Sequence, residues 1–575
     1  MRAFSALYAE LDATTSTEAK LAALTVYLQS APADDAAWAV WFLAGGRLGA
    51  IVRTRELRAL AQAEARLPEW LFEECYQAVG DLAETIALVL PADLRGVHPL
   101  PEAGLAEWVV DRLMPLASLA ETERKGRLRA LFQSLDETGR FLLVKLIGGG
   151  FRVGVSRGLV ERALARVAGL DTRCITERMM GYMDRKKQPS AEAYRALMAA
   201  AGTIDGGAVG QPYPFFLAHP LEADGEDLFA VLGPRALWQV EWKFDGVRAQ
   251  LVRRGAGAWI WTRGEELVND AFPEIVSRAR DLPSGTVLDG ELLVGSAEDP
   301  APFSALQRRL NRKRPSARML AELPVRFIAY DLLEYGGVDL RGLTLAERRA
   351  RLESLLAVHA ALGVFAASPL ITEPDWVRLA ALRSTSRGRG VEGLMLKALS
   401  SRYGSGRTKG EGLWWKWKIA PMSVDAVLIY AQAGHGRRAS LYTDYTFAVW
   451  SHAPAHAGEV ASALATLERG EPPAPDALHL VPFAKAYSGL TDQAFRRVDA
   501  LIRRHTLTRF GPVRAVRPFL VMEIGFEGIA ESGRHKSGIA VRFPRMLRIR
   551  DDKPVAEADT LDSLRALLRS ARRNE

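Results

Sequence analysis

Residues 238–254 read WQVEWKFDGVRAQLVRR, and the interpretation of the whole chain starts from this stretch. Apolar and polar residues alternate along 238–244, which is the period of a half-buried strand. The alternation puts Glu241, Lys243 and Asp245 together on the face opposite the apolar side chains. A lysine between two carboxylates is either part of a solvated strand face with an ion pair or a nucleophile. This stretch alone leaves both interpretations open.

Length and composition describe a multidomain globular chain. At 575 residues it is too long for one hydrophobic core, so two to four domains are expected. Apolar residues make up 48% and charged residues 25% of the chain, as in ordinary globular proteins. No apolar run is long enough for a transmembrane helix, and early acidic residues argue against a signal peptide. We therefore expect a cytoplasmic protein without membrane contact.

Cysteine content and charge narrow the class of protein further. The two cysteines, Cys75 and Cys174, are far apart and form no CxxC pair, which argues against a disulfide scaffold and a cysteine-rich zinc site. The net charge of +8 favours a polyanionic partner. Seven lysines and arginines against two aspartates lie between Arg534 and Lys553, so the positive charge is concentrated near the end of the chain.

Three regions follow one another. Residues 1–206 have apolar residues at helical spacing and are predicted to form an all-α domain. A glycine- and proline-rich linker, 202–214, leads into an α+β domain over 207–420. Residues 421–575 return to short strand patterns and are predicted to form a small β-barrel of the OB-fold type.

Strand and helix patterns can be located within the last two regions. Strands are predicted at 238–244, 247–253, 258–262, 286–294, 325–333, 424–430, 439–443, 447–450 and 519–526. Helices are predicted near 304–313, 344–360, 375–383 and 491–505, the second of them opened by a capping box at Thr344.

Common phosphate-binding loops do not explain how this chain would hold a nucleotide. No Gly-Lys dipeptide occurs, so a GxxxxGK[ST] loop is excluded. One GxGxxG, residues 388–393, runs into an apolar segment rather than opening a helix after a strand. Any nucleotide must therefore be held by other residues.

Polar motifs of the second and third regions occur in a fixed order. They are KxDG at Lys243, TRG at Arg263, DGE at Glu291, AYD at Tyr330, EGxxxK at Glu392, KxK at Lys416 and Lys418, and RxxK at Arg550 and Lys553. Each motif alone has a structural explanation, such as a surface acid or a barrel edge. Their joint occurrence in this order is informative.

This motif set resembles that of the covalent nucleotidyltransferases, which comprise ATP-dependent DNA ligases, RNA ligases and mRNA capping enzymes. One departure is that Arg263 and Gly264 are adjacent, where the family often has a residue between them. The helical region is similar to the DNA-binding domain of cellular DNA ligases, and residues 414–427 and 434–450 resemble bacterial three-domain ATP-dependent DNA ligases. The resemblance implies an ATP-grasp-like adenylation core, an OB-fold, and nick sealing in DNA repair, replication or recombination.

The resemblance also implies roles for individual residues. Lys243 would be adenylated, with Asp245 close to the metal and to the 3′-OH of the nick. Glu291 and Glu392 would hold the metal and the ribose, while Glu241 and Tyr330 would contact the adenine edge and face. Arg248 and Arg263 would grip the AMP phosphate or the nick 5′-phosphate. Lys416 and Lys418 would neutralise the α-phosphate, and Arg550 and Lys553 would orient pyrophosphate from a mobile domain.

Elementary chemistry agrees with a nucleophilic lysine only if its environment is special. A free lysine, with a pKa of about 10.4, is protonated at neutral pH and is not a nucleophile. Positive charge from Arg248, Lys416, Lys418 and a metal ion would make Lys243 reactive. Carboxylate oxygens without a histidine cluster favour Mg²⁺, with Mn²⁺ as a substitute, over zinc.

The implied substrates and partners follow from this chemistry. ATP would supply the AMP that becomes covalently bound to Lys243, and nicked duplex DNA would receive it. The protein would grip phosphates without reading bases, so its nick affinity should fall with salt. We expect a monomer that is nucleoid-associated in the cytoplasm and works alongside a repair helicase or nuclease.

Other functions are open to the same residues. An RNA ligase or capping enzyme shares the lysine motif but does not commonly carry some 200 helical residues before the core. An NAD⁺-dependent ligase usually has a four-cysteine zinc site, which this chain cannot build. A non-catalytic OB-fold nucleic-acid-binding protein would not require Lys243, Glu291, Glu392 and Lys416.

Overall fold

The computed structural model describes residues 1–49, 51–79, 81–91, 102–148, 151, 153–182, 188–200, 210–222, 228–312, 314–410, 412–434, 441–487, 489–510 and 513–572. Within these ranges, a helical region precedes a mixed α/β core and a β-rich region, as the sequence predicted. None of the helices in the described ranges is long and apolar enough to span a membrane.

The helical region packs around one hydrophobic cluster that includes Trp38, Phe42, Leu143 and Leu164. Its helices are α1 (Arg2–Ala13), α2 (Thr17–Ser30), α3 (Ala33–Leu43), α4 (Thr54–Ala65), α5 (Glu69–Val79), α6 (Leu82–Val89), α7 (Leu105–Glu107), α8 (Glu121–Gln133), α9 (Glu137–Gly148), α10 (Arg157–Ala168), α11 (Thr172–Arg178) and α12 (Ala191–Met198). A π-helical segment, Trp108–Leu113, continues from α7. α10 and α11 lie at the side of this region that contacts the core.

Within the described residues, the core contains two sheets and six α-helices. Its elements are β1 (His219–Pro220), α13 (Leu228–Leu232), β2 (Trp238–Phe244), β3 (Val247–Arg254), β4 (Gly257–Thr262), α14 (Pro273–Ala279), β5 (Thr286–Val294), α15 (Phe303–Leu310), α16 (Ala317–Glu322), β6 (Val325–Tyr335), β7 (Val338–Asp339), α17 (Leu345–Val358), β8 (Phe365–Ala367), α18 (Trp376–Ser384), β9 (Val391–Ala398) and β10 (Trp414–Lys418). One sheet has the order β1-β10-β9-β2, and the other has the order β4-β3-β5-β6-β7 with β8 beside β6.

The turn between β2 and β3 joins the two sheets. Gly246 lies in this turn, and a Cβ atom there would come within 2.5 Å of the Leu292 carbonyl oxygen on β5. A glycine is therefore required for the turn to approach β5 this closely. The turn brings the polar residues of β2 next to those of β3 and β5.

The last region is rich in β-structure. Its elements are β11 (Met422–Ala433), β12 (Tyr442–Trp450), α19 (Ala457–Glu468), β13 (Leu480–Ala486), α20 (Asp492–Arg504), β14 (Thr506–Phe510), β15 (Val513–Val516), β16 (Val521–Phe526), β17 (Gly528–Glu531), β18 (Ile539–Arg542), β19 (Arg545–Ile549) and α21 (Leu561–Arg572). The main sheet has the order β13-β12-β11-β15-β14, with β16 between β11 and β19. β17 and β18 form a separate hairpin that reaches the core.

Most element predictions for the core are confirmed within about two residues. The capping box at Thr344 is present, with its hydroxyl and the Glu347 side chain each bonded to the other residue's backbone N–H. Residues 202–209 of the predicted linker and 439–440 of a predicted strand lie outside the described ranges. The solvated-face interpretation of β2 does not hold for Glu241, which is only 1% exposed, whereas Lys243 and Asp245 on the same face are half-buried and form ion pairs.

Candidate active site

Lys243 lies opposite an irregularity in β9. The pairing of β2 with β9 shifts register between Trp242 and Phe244, where Glu392 and Gly393 of β9 oppose the single residue Lys243, so β9 contains a β-bulge, a feature that re-aims a side chain. Its Nζ donates a hydrogen bond to Glu392 Oε2 on β9. The two side chains are 22% and 19% exposed, so this ion pair lies in a partly dry site.

Two lysines of β10 extend the charge around Lys243. Lys418 Nζ lies 3.3 Å from Glu392 Oε2 and donates a hydrogen bond of 3.1 Å to Glu527 Oε1 in the β-rich region. Burial raises the pKa of Glu392, but Lys243 and Lys418 outweigh it and hold the pKa below its usual value. Burial, and then the charge of Lys418, lower the pKa of Lys416. Glu392 is thus a carboxylate shared by two lysines.

Glu291, on β5 opposite Arg248 in the pairing of β3 with β5, is the most perturbed carboxylate of the site. Burial raises its pKa to about 7, although the positive charges of Lys243 and Arg248 oppose the shift. Its carboxylate has no hydrogen-bond partner among the described residues. Glu291 is half-buried, and a carboxylate shielded in this way without a partner is favoured by a nearby cation.

A metal ion fits this site only together with ligands from the substrate. Within the described part of the chain, no group of three or more His, Cys, Asp or Glu side chains is arranged to hold a metal. Mg²⁺ is commonly held by one or two carboxylates plus phosphate oxygens and water. Glu291 provides one such oxygen donor, whereas Glu392 and Asp245 are paired with cations.

Arg248 is fixed by a network behind the site. Its guanidinium donates hydrogen bonds of 3.2 and 2.7 Å to the two carboxylate oxygens of Asp289, which is fully buried. The Tyr403 hydroxyl donates a 2.5 Å hydrogen bond to the same carboxylate. The Asp289 carboxylate raises the pKa of Arg248 against the effect of burial, so the guanidinium stays charged.

A second buried group surrounds the predicted adenine contacts. Lys397 Nζ donates a 3.0 Å hydrogen bond to Glu241, and both side chains are 2% exposed. The same ammonium lies 4.1 Å from the centre of the Tyr330 ring, and the Arg248 guanidinium lies 5.7 Å from it. The structure therefore brings Glu241 and Tyr330 together through Lys397.

Arg263 lies at a cavity between the core and the helical region. It follows β4 and is exposed. The cavity, about 690 Å³ in volume, is lined by residues of both regions, including Arg157, Thr176, Phe215, Arg263 and Thr408. Lys243 is not among its lining residues, so this cavity does not include the lysine.

The β-rich region contacts the core through residues that the motifs did not indicate. Arg542 Nη1, at the end of β18, donates a 2.6 Å hydrogen bond to Asp245 Oδ2. Arg550 and Lys553 instead pair with Asp425 of β11 at 2.6 and 2.8 Å. The structure thus brings Asp245, Lys243, Lys418 and Glu392 together, and keeps the RxxK motif on the β-rich region itself.

Five contacting residues were missed by the sequence analysis: Asp289, Lys397, Tyr403, Glu527 and Arg542. Lys397 ends the EGxxxK motif and Asp289 opens the DGE motif, so both could have been found from the motifs. Tyr403, Glu527 and Arg542 belong to no motif, and only the folded chain brings them to the site.

Comparisons with known proteins identify the family of the chain. The family model described as ATP dependent DNA ligase domain matches residues 216–418, and that described as DNA ligase N terminus matches residues 1–165. A probable DNA ligase of Koribacter versatilis is 32% identical, with 97% of this chain and 95% of the relative covered. A DNA ligase of Natronomonas pharaonis is 30% identical, with 88% of this chain and 87% of the relative covered.

A solved structure named Pmar-Lig_PreS3 has a similar fold. It covers 95% of this chain and 99% of its own, with a TM-score of 0.58 and 15% sequence identity, a likeness that concerns the fold alone. The two family models together with relatives aligned over nearly their whole length decide the classification. The chain belongs to the family of ATP-dependent DNA ligases.

Proposed function

We propose that this ATP-dependent DNA ligase seals 3′-OH/5′-phosphate nicks in duplex DNA through an enzyme-lysyl-AMP and a DNA-adenylate, in DNA repair. The observation that carries the proposal is the charge arrangement around one amine. Lys243 shares Glu392 with Lys418 and has Glu291 nearby as a carboxylate without a hydrogen-bond partner in the described chain.

In the first step, Lys243 Nζ attacks the α-phosphorus of ATP. An N–P bond forms, and the P–O bond to pyrophosphate breaks. Lys243 must release Glu392 and give a proton to solvent water before it can attack. Lys418 then remains as the cation beside Glu392, so the carboxylate is not left unpaired in a half-buried site.

The remaining residues of the core bind and orient the nucleotide. Arg248 and Lys416 contribute positive charge where the attacked phosphorus gains negative charge. Glu241 and Tyr330 form the adenine contacts, and Lys397 holds them in place. Mg²⁺, bound through Glu291 and the phosphates, with Glu392 and Asp245 close by, would neutralise the charge of the triphosphate.

Two further transfers complete the reaction. The nick 5′-phosphate oxygen attacks the lysyl-AMP phosphorus and releases the Lys243 amine. The 3′-OH then attacks the activated 5′-phosphorus, and AMP leaves. Arg263 would hold the 5′-phosphate during these steps, and Asp245 would lie near the 3′-OH.

We infer that three domains share this work: a DNA-binding domain (1–206), an adenylation domain (207–420) and an OB-fold domain (421–575). The last would present Arg550 and Lys553 to pyrophosphate when it moves.

We infer that the protein acts as a monomer with nicked duplex DNA. A repair helicase or nuclease is the expected functional partner.

Labelled nucleotides and matched nicks test this proposal. The protein is incubated with labelled ATP or GTP and then with nicked DNA duplex or nicked RNA duplex. Label transfer from ATP to the protein, and from the protein to the DNA 5′-end, is expected. Preference for GTP, or sealing of RNA but not DNA, would contradict the proposal.

A further inference from the structure

The turn that carries Arg263 contains a residue in an unusual conformation. Glu265 has a φ of 60°, in the left-handed region that favours glycine. The Glu265 N–H donates a 2.9 Å hydrogen bond to the Thr262 carbonyl, and the Thr262 N–H donates a 3.0 Å bond to the Glu266 carbonyl. Arg263, Gly264 and Glu265 are therefore the three tip residues of a tight loop between β4 and the following segment.

A glutamate at this position carries a backbone cost. A non-glycine residue in the left-handed region costs on the order of 1 kcal/mol, and such residues concentrate at functional sites. Glycine is the usual residue at the left-handed position of a three-residue loop. The contacts of the Glu265 carboxylate therefore have to offset the free-energy cost of the left-handed backbone.

Both oxygens of that carboxylate bind the helical region. Oε1 accepts a hydrogen bond from Arg157, the first residue of α10, and Oε2 accepts a 3.3 Å bond from the Gly181 N–H. Glu265 is 12% exposed, so this ion pair is largely shielded from water. Arg157 also donates a 2.8 Å bond to Glu161, which ties the contact to the body of α10.

Arg263 has none of this restraint on its own side chain. Its guanidinium is exposed and has no hydrogen-bond or ion-pair partner among the described residues. Its backbone is held by a 3.0 Å hydrogen bond from its N–H to the Arg248 carbonyl. The direction of the Arg263 side chain therefore depends on the loop that Glu265 anchors.

We propose that Glu265 is a positioning residue: by binding Arg157 and Gly181 it fixes the loop that presents Arg263, so docking of the helical region sets the geometry of the DNA-joining steps. The inference rests on the proposed function in that Arg263 holds the nick 5′-phosphate. Glu265 itself touches no substrate. It links the helical region to the site.

Glu265→Gly is the sharpest test variant, because it removes the carboxylate and suits the left-handed backbone. Sealing of a saturating nicked DNA duplex by preformed enzyme–AMP is followed in a single turnover, alongside the rate of enzyme–AMP formation. We expect sealing to slow by about tenfold to a hundredfold, as for a misplaced binding group. Enzyme–AMP formation and Tm should stay at or above the wild-type level.

The control is Glu177→Gln, which weakens another ion pair between the two regions, Arg341–Glu177 at 2.6 Å, and leaves the contacts of Glu265 in place. Arg341 keeps Asp339 as a partner at 2.8 Å, so sealing by this variant should stay within about twofold of wild type. A defect equal to that of Glu265→Gly would mean that general loosening of the interface is the cause, and would overturn the inference.

A double-mutant cycle separates positioning from independent effects. If Arg157 acts through Arg263, then Arg157→Met should slow sealing in the wild-type background and have no added effect in Arg263→Ala. If the effects of Arg157→Met and Arg263→Ala on the sealing rate multiply in the double variant, the inference is overturned. Sealing by Glu265→Gly at the wild-type rate would overturn it as well. If wild-type enzyme–AMP does not seal nicked DNA, the proposed function itself fails, and this differs visibly from a defect confined to the variants.

Discussion

At the scale of single residues, the site is a set of buried charges that need partners. Lys243 and Lys418 share Glu392, and Arg248 is held by Asp289. Glu291 is the exception, since the described chain gives it no hydrogen-bond partner. Because the pKa of Glu291 is raised, the effect of this missing partner can be measured as a change of stability with pH, without substrate.

Glu291→Gln should stabilise the metal-free protein above neutral pH. The folded-state pKa of Glu291 is about 7, against an ordinary value of 4.5, because burial disfavours the charged form. As pH rises, Glu291 ionises near pH 4.5 in the unfolded chain and only near pH 7 in the folded chain. The free energy of unfolding of the wild type therefore falls between these two pH values, and the whole loss is present above pH 7. We expect the variant to gain about 3 kcal/mol at pH 8 relative to its difference at pH 4.

Urea unfolding in a buffer with chelator measures this gain. A stability difference between variant and wild type that does not change with pH would contradict the raised pKa of Glu291.

Asp289→Asn should damage both stability and nucleotide transfer. The substitution leaves the Arg248 guanidinium without its charged partner in a buried position, which costs about 3 kcal/mol. Enzyme–AMP formation should slow at least roughly tenfold, because Arg248 is no longer held in place. Denaturant unfolding and labelled-ATP transfer check the two effects.

Glu322→Gln serves as the matched control for this variant. It removes a carboxylate from the exposed Arg318–Glu322 pair, so stability should change by less than about 0.5 kcal/mol. Equal losses in the two variants would show that the burial of the Arg248–Asp289 pair has no special importance.

At the scale of secondary-structure elements, the sequence predicted what depends on local pattern. The strands β2 to β6 alternate or are continuously apolar, so their positions followed from period and turn residues. The helices α19 and α21 were missed, although Leu561, Leu564 and Leu568 of α21 have helical spacing. The hairpin strands β17 and β18 have four residues each, which is too short for a periodic signal to indicate them.

The site could be predicted only in part, for the same reason. Motif order indicated Lys243, Glu291, Glu392 and Lys416, but their distances depend on how two sheets pack. The bulge in β9 opposite Lys243 and the contact of Arg542 with Asp245 arise from tertiary packing. The roles of these residues stay predictions until the variants are measured.

Arg542→Ala should release the β18 hairpin from the core. The Arg542–Asp245 pair is about one-third exposed, so its loss is worth roughly 1 kcal/mol, which corresponds to about fivefold slower sealing. Small-angle scattering should show a larger radius of gyration, because one of the contacts between the two regions is lost.

Arg548→Ala is the control, since its partner Glu523 belongs to the same region and not to the core. Unchanged scattering and sealing in Arg542→Ala, or identical changes in both variants, would contradict a closing role for the Arg542 contact.

At the scale of the whole molecule, three regions with a net charge of +8 suggest a grip on the DNA backbone. Nick affinity should fall about a thousandfold between 50 and 200 mM salt if six or more phosphates are contacted. Transfer of AMP from ATP to the protein should change far less over the same range. A nick affinity that does not change with salt would contradict binding through the DNA phosphates.

The most direct test of the account is the intact mass of the protein after treatment with ATP and Mg²⁺. We expect the wild type and Lys485→Ala, which removes an exposed lysine of β13, to gain one adenylate and to lose it on addition of nicked duplex DNA. Lys243→Ala should gain none. An adenylate on the Lys243→Ala protein, or one that nicked DNA does not discharge, would contradict the central role of Lys243.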